Sequence, residues 1–179
     1  KPDYVFLVAT KNFGSKVRKE SHADLLHMHL ASQANIFHAA FQAGVKKLVF
    51  IGSRYNMPSM KIPSAPFPLF PSIQDDPFQT ITHAGIAACH AYNMQYGTKF
   101  VSCITTNLYG YHDHFHPVMG HVIPALISKM LNAKKQGFPH VEIWGDGTPI
   151  RDFLFVDDFA QAALLVMNTT HTPSPIHIA

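Results

Sequence analysis

The chain has 179 residues, 47% apolar and 14% charged, with a formal net charge of +3. That length suits one domain or a large piece of one, and the composition calls for a packed core and excludes intrinsic disorder. The basic residues are scattered apart from clusters at Lys16 to Lys19 and Lys134 to Lys135. Neither cluster is interleaved with aromatics, so both read as solvated faces and no nucleic-acid partner is expected. Tyr4 to Ala9 (YVFLVA) is a continuous apolar run of strand length, the pattern of a strand buried on both faces. Ser21 to Ala43 repeats Leu25, Leu26, Leu30, Ile36, Phe37 and Ala40 at helical spacing, and Gly44 closes it as a C-cap. Lys47 to Gly52 (KLVFIG) is a second buried strand. Ser53 to Pro77 carries six of the thirteen prolines and reads as a long loop, of the kind that is usually functional or mobile.

A helix from Phe78 to Tyr96 follows, closed by Gly97, and then a strand from Phe100 to Thr105. Asn107 to Met119 is a polar, histidine-rich loop. The spacing next predicts a helix over Gly120 to Lys135, a strand over Val141 to Trp144, a Gly-Asp-Gly-Thr-Pro turn and a strand over Phe153 to Phe155. A helix over Asp157 to Asn168 has Asp157 or Asp158 as its N-cap, and Ile176 to Ile178 forms a last strand. Strands alternating with helices predict an α/β fold with a parallel sheet. Cys89 and Cys103 supply neither a disulfide framework nor a metal spacing, which points to a cytoplasmic or other reducing compartment. No apolar run of about 18 residues occurs, so no membrane span is expected. No signal peptide opens the chain, and its first residues already read as a strand, which points to sequence upstream.

Several blocks carry a specific resemblance. Thr106-Asn107-Leu108-Tyr109-Gly110, His112-Asp113 and Phe115-His116-Pro117 resemble the loop TNLYGPHDNFHP of the GDP-L-fucose synthases. His121 to Leu126 is similar to HVIPAL, Trp144 to Pro149 to WGSGTP, Arg151 to Leu154 to REFL, and Val156-Asp157-Asp158 to VDD. Tyr92-Asn93 and Gln95-Tyr96-Gly97 match the end of that family's central helix. The likeness runs over nearly the whole chain and places it among the extended short-chain dehydrogenase/reductases, as a degenerate or truncated member. It implies a Rossmann-like domain with a smaller substrate domain, acting as a homodimer. The implied chemistry converts GDP-4-keto-6-deoxymannose to GDP-L-fucose by two epimerisations and an NADPH reduction. Residues 1–119 would then be the second half of the Rossmann-like sheet, with helices on both faces. Residues 120–179 would be part of the substrate domain with a return segment.

The resemblance assigns roles residue by residue. Ser53 falls on the catalytic serine, whose hydroxyl would bond the substrate carbonyl. The family's Tyr-x-x-x-Lys places a proton donor one helical turn from a cation that lowers its pKa from about 10. Phe78 and Thr82 stand at those two places, and none of the six tyrosines has a lysine four residues on. His121 matches the histidine of the epimerisation pair, while Tyr55 replaces its cysteine and Arg54 the preceding serine. Trp144 and Arg151 match contacts to the GDP moiety, Asn107 lies near cofactor and substrate, and Lys129 replaces an arginine, losing the bidentate fork.

The dinucleotide fingerprint Gly-x-Gly-x-x-Gly does not occur; the nearest pair, Gly145 and Gly147, is followed by Ile150. No cofactor is therefore expected for this chain, although the family uses NADP. Tyr4 to Ala9 would lie beside an empty sheet position, an apolar edge that upstream sequence or a partner should cover. His112, His114 and His116 alternate and on a strand would share a face suited to zinc or nickel. Two of the three match family positions, so no metal is expected. Asp75 and Asp76 read as helix-entry residues. Three readings follow. The first is a catalytically degenerate GDP-L-fucose synthase-like protein acting as a structural or interaction subunit through helices 21–43 and 78–96. The second is an active synthase seen as a fragment. The third is a non-redox binder or epimerase of a GDP-sugar.

Overall fold

The computed structural model describes residues 1–8, 21–53, 77–169, 172 and 174–179. The Lys16 to Lys19 cluster, Arg54, Tyr55, Asp75, Asp76 and the proline-rich run from 54 to 76 lie outside the described residues. In chain order the elements are β1 (Tyr4–Leu7), α1 (His22–Ala43), β2 (Lys47–Ser53), α2 (Pro77–Tyr96), β3 (Phe100–Thr105), β4 (Asn107–Tyr109), α3 (Val122–Gln136), β5 (Phe153–Phe155), α4 (Val156–Thr169) and β6 (Ile176–Ile178). Four strands form one parallel sheet in the order β1-β2-β3-β6. β4 and β5 form a separate parallel pair.

The continuous apolar runs KLVFIG and FVSCIT become the two central strands because both of their faces are covered. On one face Phe37 and Ala40 of α1 and Cys89 of α2 pack over Leu7, Leu48, Phe50 and Phe100. On the other, Phe159, Ala163, Val166 and Met167 of α4 pack over Val49, Val101 and Cys103. Helices on both faces of a parallel sheet are what the strand–helix alternation predicts. α2 lies closest to the sheet at Gly85, where a Cβ would stand 2.2 Å from Cζ of Phe50. α1 ends on Gly44 in the left-handed region (φ 60°), with Gly44 N–H and Val45 N–H donating to the carbonyls of Phe41 and Ala40. Asn93 ties the end of α2 to the start of β3. Its amide donates to the Phe100 carbonyl (2.7 Å), and its oxygen accepts from Phe100 N–H (2.8 Å) and the Thr98 hydroxyl (2.7 Å).

Lys47 opens β2 with only 2% of its surface exposed. Its ammonium donates to the carbonyls of Val166 and Met167, in the last turn of α4, where backbone acceptors lack helical partners. Burial, with repulsion from Lys99 second, holds this amine below the usual lysine range.

Four expectations need correction. β1 is buried on one face only: Val5 and Leu7 join the core under α1, while Tyr4, Phe6 and Val8 are exposed. It pairs with β2 alone, so it is the edge of the sheet among the described strands. Val141 to Trp144 has the alternation of a strand but forms none, having no ladder partner among the described residues. Asn107–Tyr109, expected within a loop, instead pairs with Phe153–Phe155. α4 begins at Val156, so Asp157 and Asp158 occupy its first turn, where negative charge complements the helix dipole, and neither is the N-cap. Among the described elements, α3 rests on no other helix or strand by more than marginal contact. β5, α4 and β6 bring the chain back to the main sheet. No described helix is long and apolar enough to cross a membrane.

Candidate functional site

In open parallel α/β sheets ligands bind beyond the carboxyl ends of the strands. Ser53 ends β2 there, half-buried, in register with Thr105 at the end of β3. α2 brings Phe78 and Thr82 to the same end, one turn apart. Thr82 is buried and its hydroxyl donates to the Ser53 carbonyl at 3.2 Å. The approach is close: a Cβ on Gly52 would stand 2.8 Å from Cγ2 of Thr82 and 2.9 Å from Cδ1 of Ile104. Phe78 is buried with Leu25 and Ile81, and the His29 ring meets it edge-on with centroids 5.5 Å apart. The two positions where the resemblance expects a proton donor and a cation thus hold a core aromatic and a hydroxyl engaged with backbone. Neither fits the residues that an NADP-dependent carbonyl reduction would need on this helix. Tyr55 lies outside the described residues.

His121 stands exposed just before α3, its Nδ1 3.8 Å from Oδ1 of Asp113. That oxygen also accepts the His114 N–H at 2.7 Å. The histidine run is not a strand. His112 adopts φ 66°, His114 and His116 stack with centroids 5.8 Å apart, and His116 Nδ1 accepts the N–H groups of Val118 (3.2 Å) and Met119 (3.0 Å). Among the described residues no three His, Cys, Asp or Glu side chains converge as a metal set.

Lys129 and Trp144 come together: Nζ lies 4.1 Å from the ring centroid and donates to the Glu142 carbonyl at 3.2 Å. Trp144 is 61% exposed, so it is not a core aromatic; a cation over one face leaves an aromatic surface for a planar ligand. Asp146 accepts from the Thr148 hydroxyl (2.7 Å) and N–H (3.0 Å), which hold its carboxyl below the usual range and close the turn after Trp144. Asn107 Nδ2 (3.1 Å) and the Thr106 hydroxyl (2.6 Å) both donate to the Asp152 carbonyl, fixing the backbone beside exposed Arg151.

Sequence reasoning passes over Thr105. It is 5% exposed, and its hydroxyl has no hydrogen-bond partner among the described residues. The one signal was its place immediately before the Thr-Asn-Leu-Tyr-Gly block.

Comparison with known proteins agrees with this architecture. The chain is 42% identical over 173 residues to the GDP-L-fucose synthase of Escherichia coli K12, covering 94% of this chain and 54% of that protein. It is 39% identical over 174 residues to GDP-L-fucose synthase 1 of Arabidopsis thaliana, covering 94% and 53%. The chain thus spans about half the length of the curated relatives it matches. Among solved structures, a GDP-L-fucose synthetase from Naegleria fowleri bound to NADP superposes with a TM-score of 0.79 at 26% identity, over 99% of this chain and 55% of that one. A GDP-D-glycero-L-gluco-heptose synthase from Campylobacter jejuni, determined with NADPH, superposes with a TM-score of 0.78 at 28% identity, over 99% and 65%. The sequence model for the NAD dependent epimerase/dehydratase family matches residues 1–179, end to end with the parallel sheet and the strand-end site, and to that family the chain belongs.

Proposed function

We propose that this chain is a GDP-L-fucose synthase-like protein that keeps a GDP-sugar face but does not itself reduce a keto-sugar, and that it acts as an interaction subunit. The observation that carries the reading is Phe78 locked in the core while Thr82 donates to the Ser53 carbonyl. A phenyl ring has no proton to give, and a threonine has no charge to lower a neighbour's pKa. Lys129 over Trp144, with Arg151 nearby in sequence, supports retention of the nucleotide side. The outward faces of α1 and α2 carry small exposed residues (Ala31, Ala34; Ala87, Ala91) among larger ones such as His38, His90 and Met94, and a homodimer or larger assembly through these helices is the reading we adopt. The edge strand β1 suits a covering strand, from the same chain or a partner.

The test is NADPH oxidation with GDP-4-keto-6-deoxymannose, read beside solvent deuterium uptake into the sugar. Neither signal, with a species well above 19.9 kDa by sedimentation, is the expected result. A second reading, an active GDP-L-fucose synthase of which this is a part, is favoured by the 42% identity to a synthase over 94% of the chain. NADPH turnover would establish that reading and overturn the first. Deuterium uptake without NADPH would instead indicate an epimerase using His121.

A further inference from the structure

We propose that His116 is a proton-sensitive latch on the loop between β4 and α3, closed while its ring is neutral and opened when the ring takes up a proton. The assignment does not depend on which GDP-sugar reading holds. Residues 110–121 carry the chain from Tyr109 to the start of α3, where His121 stands. Within that loop one residue accepts three backbone N–H groups. His116 Nδ1 accepts those of Val118 (3.2 Å) and Met119 (3.0 Å), and its carbonyl accepts that of Gly120 at 2.8 Å. The turn is tight, since a Cβ on Gly120 would stand 2.3 Å from the His114 carbonyl oxygen.

A backbone N–H can only donate, so the bonded Nδ1 presents its lone pair and the neutral ring carries its proton on Nε2. A second proton puts an N–H at Nδ1, facing two N–H donors, and both bonds are lost. The latch is therefore closed above the range in which imidazoles titrate, about pH 6.5, and opens as pH falls through it. The His114 ring lies parallel to that of His116, with 4° between planes and centroids 5.8 Å apart, so a proton there adds like-charge repulsion. Asp113 serves the other histidines: its Oδ1 accepts the His114 N–H and lies 3.8 Å from Nδ1 of His121. A protonated His121 would strengthen that tether, which spans the loop but leaves the Nδ1 bonds of His116 unaided. Of the elements packed against the loop, β5 brings Phe155 to Tyr111, and α4 brings Val156 to Gly110. Asp157 and Asp158, the next residues of α4, pair with none of the loop's histidines among the described residues, and no described carboxylate is paired with His116.

The experiment follows amide exchange with solvent by NMR in the whole chain at about pH 7.5 and about pH 5, with each rate corrected for its intrinsic pH dependence. It compares the parent with His116→Asn and His116→Ala. In the parent, protection of Val118 and Met119 should fall about five- to tenfold at the lower pH while β2 and β3 keep theirs. Asparagine puts an Oδ1 in the place of Nδ1 and accepts without titrating, so His116→Asn should stay protected at both pH values. His116→Ala should be unprotected at both. Equal protection of Val118 and Met119 at the two pH values in the parent overturns the proposal. The same acid loss in His116→Asn also overturns it, because another group would then be titrating. An acid loss shared by β2 and β3 overturns it as well, since the sensitivity would then belong to the core.

Discussion

Gly85→Ala is the sharpest probe of how α2 sits on the sheet, because two effects of opposite sign meet there. In a helix interior, replacing glycine by alanine ordinarily gains about 1 kcal/mol through backbone entropy. Here the new Cβ would stand 2.2, 2.3 and 2.7 Å from Cζ, Cε1 and Cε2 of Phe50. Comfortable carbon–carbon contact is about 3.5–4.0 Å, so several atoms must retreat by roughly an ångström or more. The ring has little room to retreat, being buried in the core beside Phe37 with centroids 6.0 Å apart. Overpacking of this kind costs about 1–3 kcal/mol, and contacts as short as these belong at the upper end, so the clash outweighs the propensity gain and a net loss of up to about 2 kcal/mol is expected. Urea unfolding followed by circular dichroism measures it. Phe50→Leu in the Gly85→Ala background should recover part of the loss, giving a double-mutant coupling above about 0.5 kcal/mol. A Gly85→Ala midpoint at or above the parent's would refute the reasoning, because it would show α2 free to lift from β2.

Two further predictions concern buried titratable groups. With the Lys47 amine held below the ordinary 10.5, the unfolded chain binds more protons than the folded one between the lowered value and 10.5, so stability should rise with pH through that window. Lys47→Met should flatten that rise and, by leaving the Val166 and Met167 carbonyls without their donor, cost about 1–3 kcal/mol near neutrality; an unchanged slope would count against it. Burial pushes the thiols of Cys89 and Cys103 up to about 12 and about 11, so a thiol reagent near neutral pH should label neither in the native protein and both in urea. Rapid native labelling of either would show that the core opens there.

The central strands were legible because KLVFIG and FVSCIT are apolar without interruption, a pattern that only a doubly covered strand satisfies. YVFL carries the same pattern and still exposes one face, because burial depends on what packs opposite and a short run cannot report its neighbours. Val141 to Trp144 alternates correctly but lacks a ladder partner, whereas Asn107–Tyr109 pairs despite being too short to show a period. At the site, Phe78 and Thr82 could be named only through the family resemblance, counted back from the Tyr92-Asn93 block, because a phenylalanine and a threonine four residues apart carry no signal of their own. The Lys129–Trp144 contact was not legible, since it joins residues 15 positions apart across a turn of irregular backbone. Thr105 was beyond reach for a different reason: a stranded hydroxyl is defined by what its neighbours lack, and a sequence does not list spatial neighbours.

The order in which strands pair has a consequence for biosynthesis. β6, the last element described, docks on β3, and Lys47 at the start of β2 is held by carbonyls 119 and 120 residues further along. While the chain emerges from a ribosome, β1, β2 and β3 can assemble under α1 and α2 well before residues 156–178 arrive. During that interval Val49, Val101 and Cys103 lie uncovered, with a buried-type lysine still in water. Translation at about 5–20 residues per second makes the exposure last several seconds, long enough for a chaperone that recognises apolar β surface to engage the half-covered sheet.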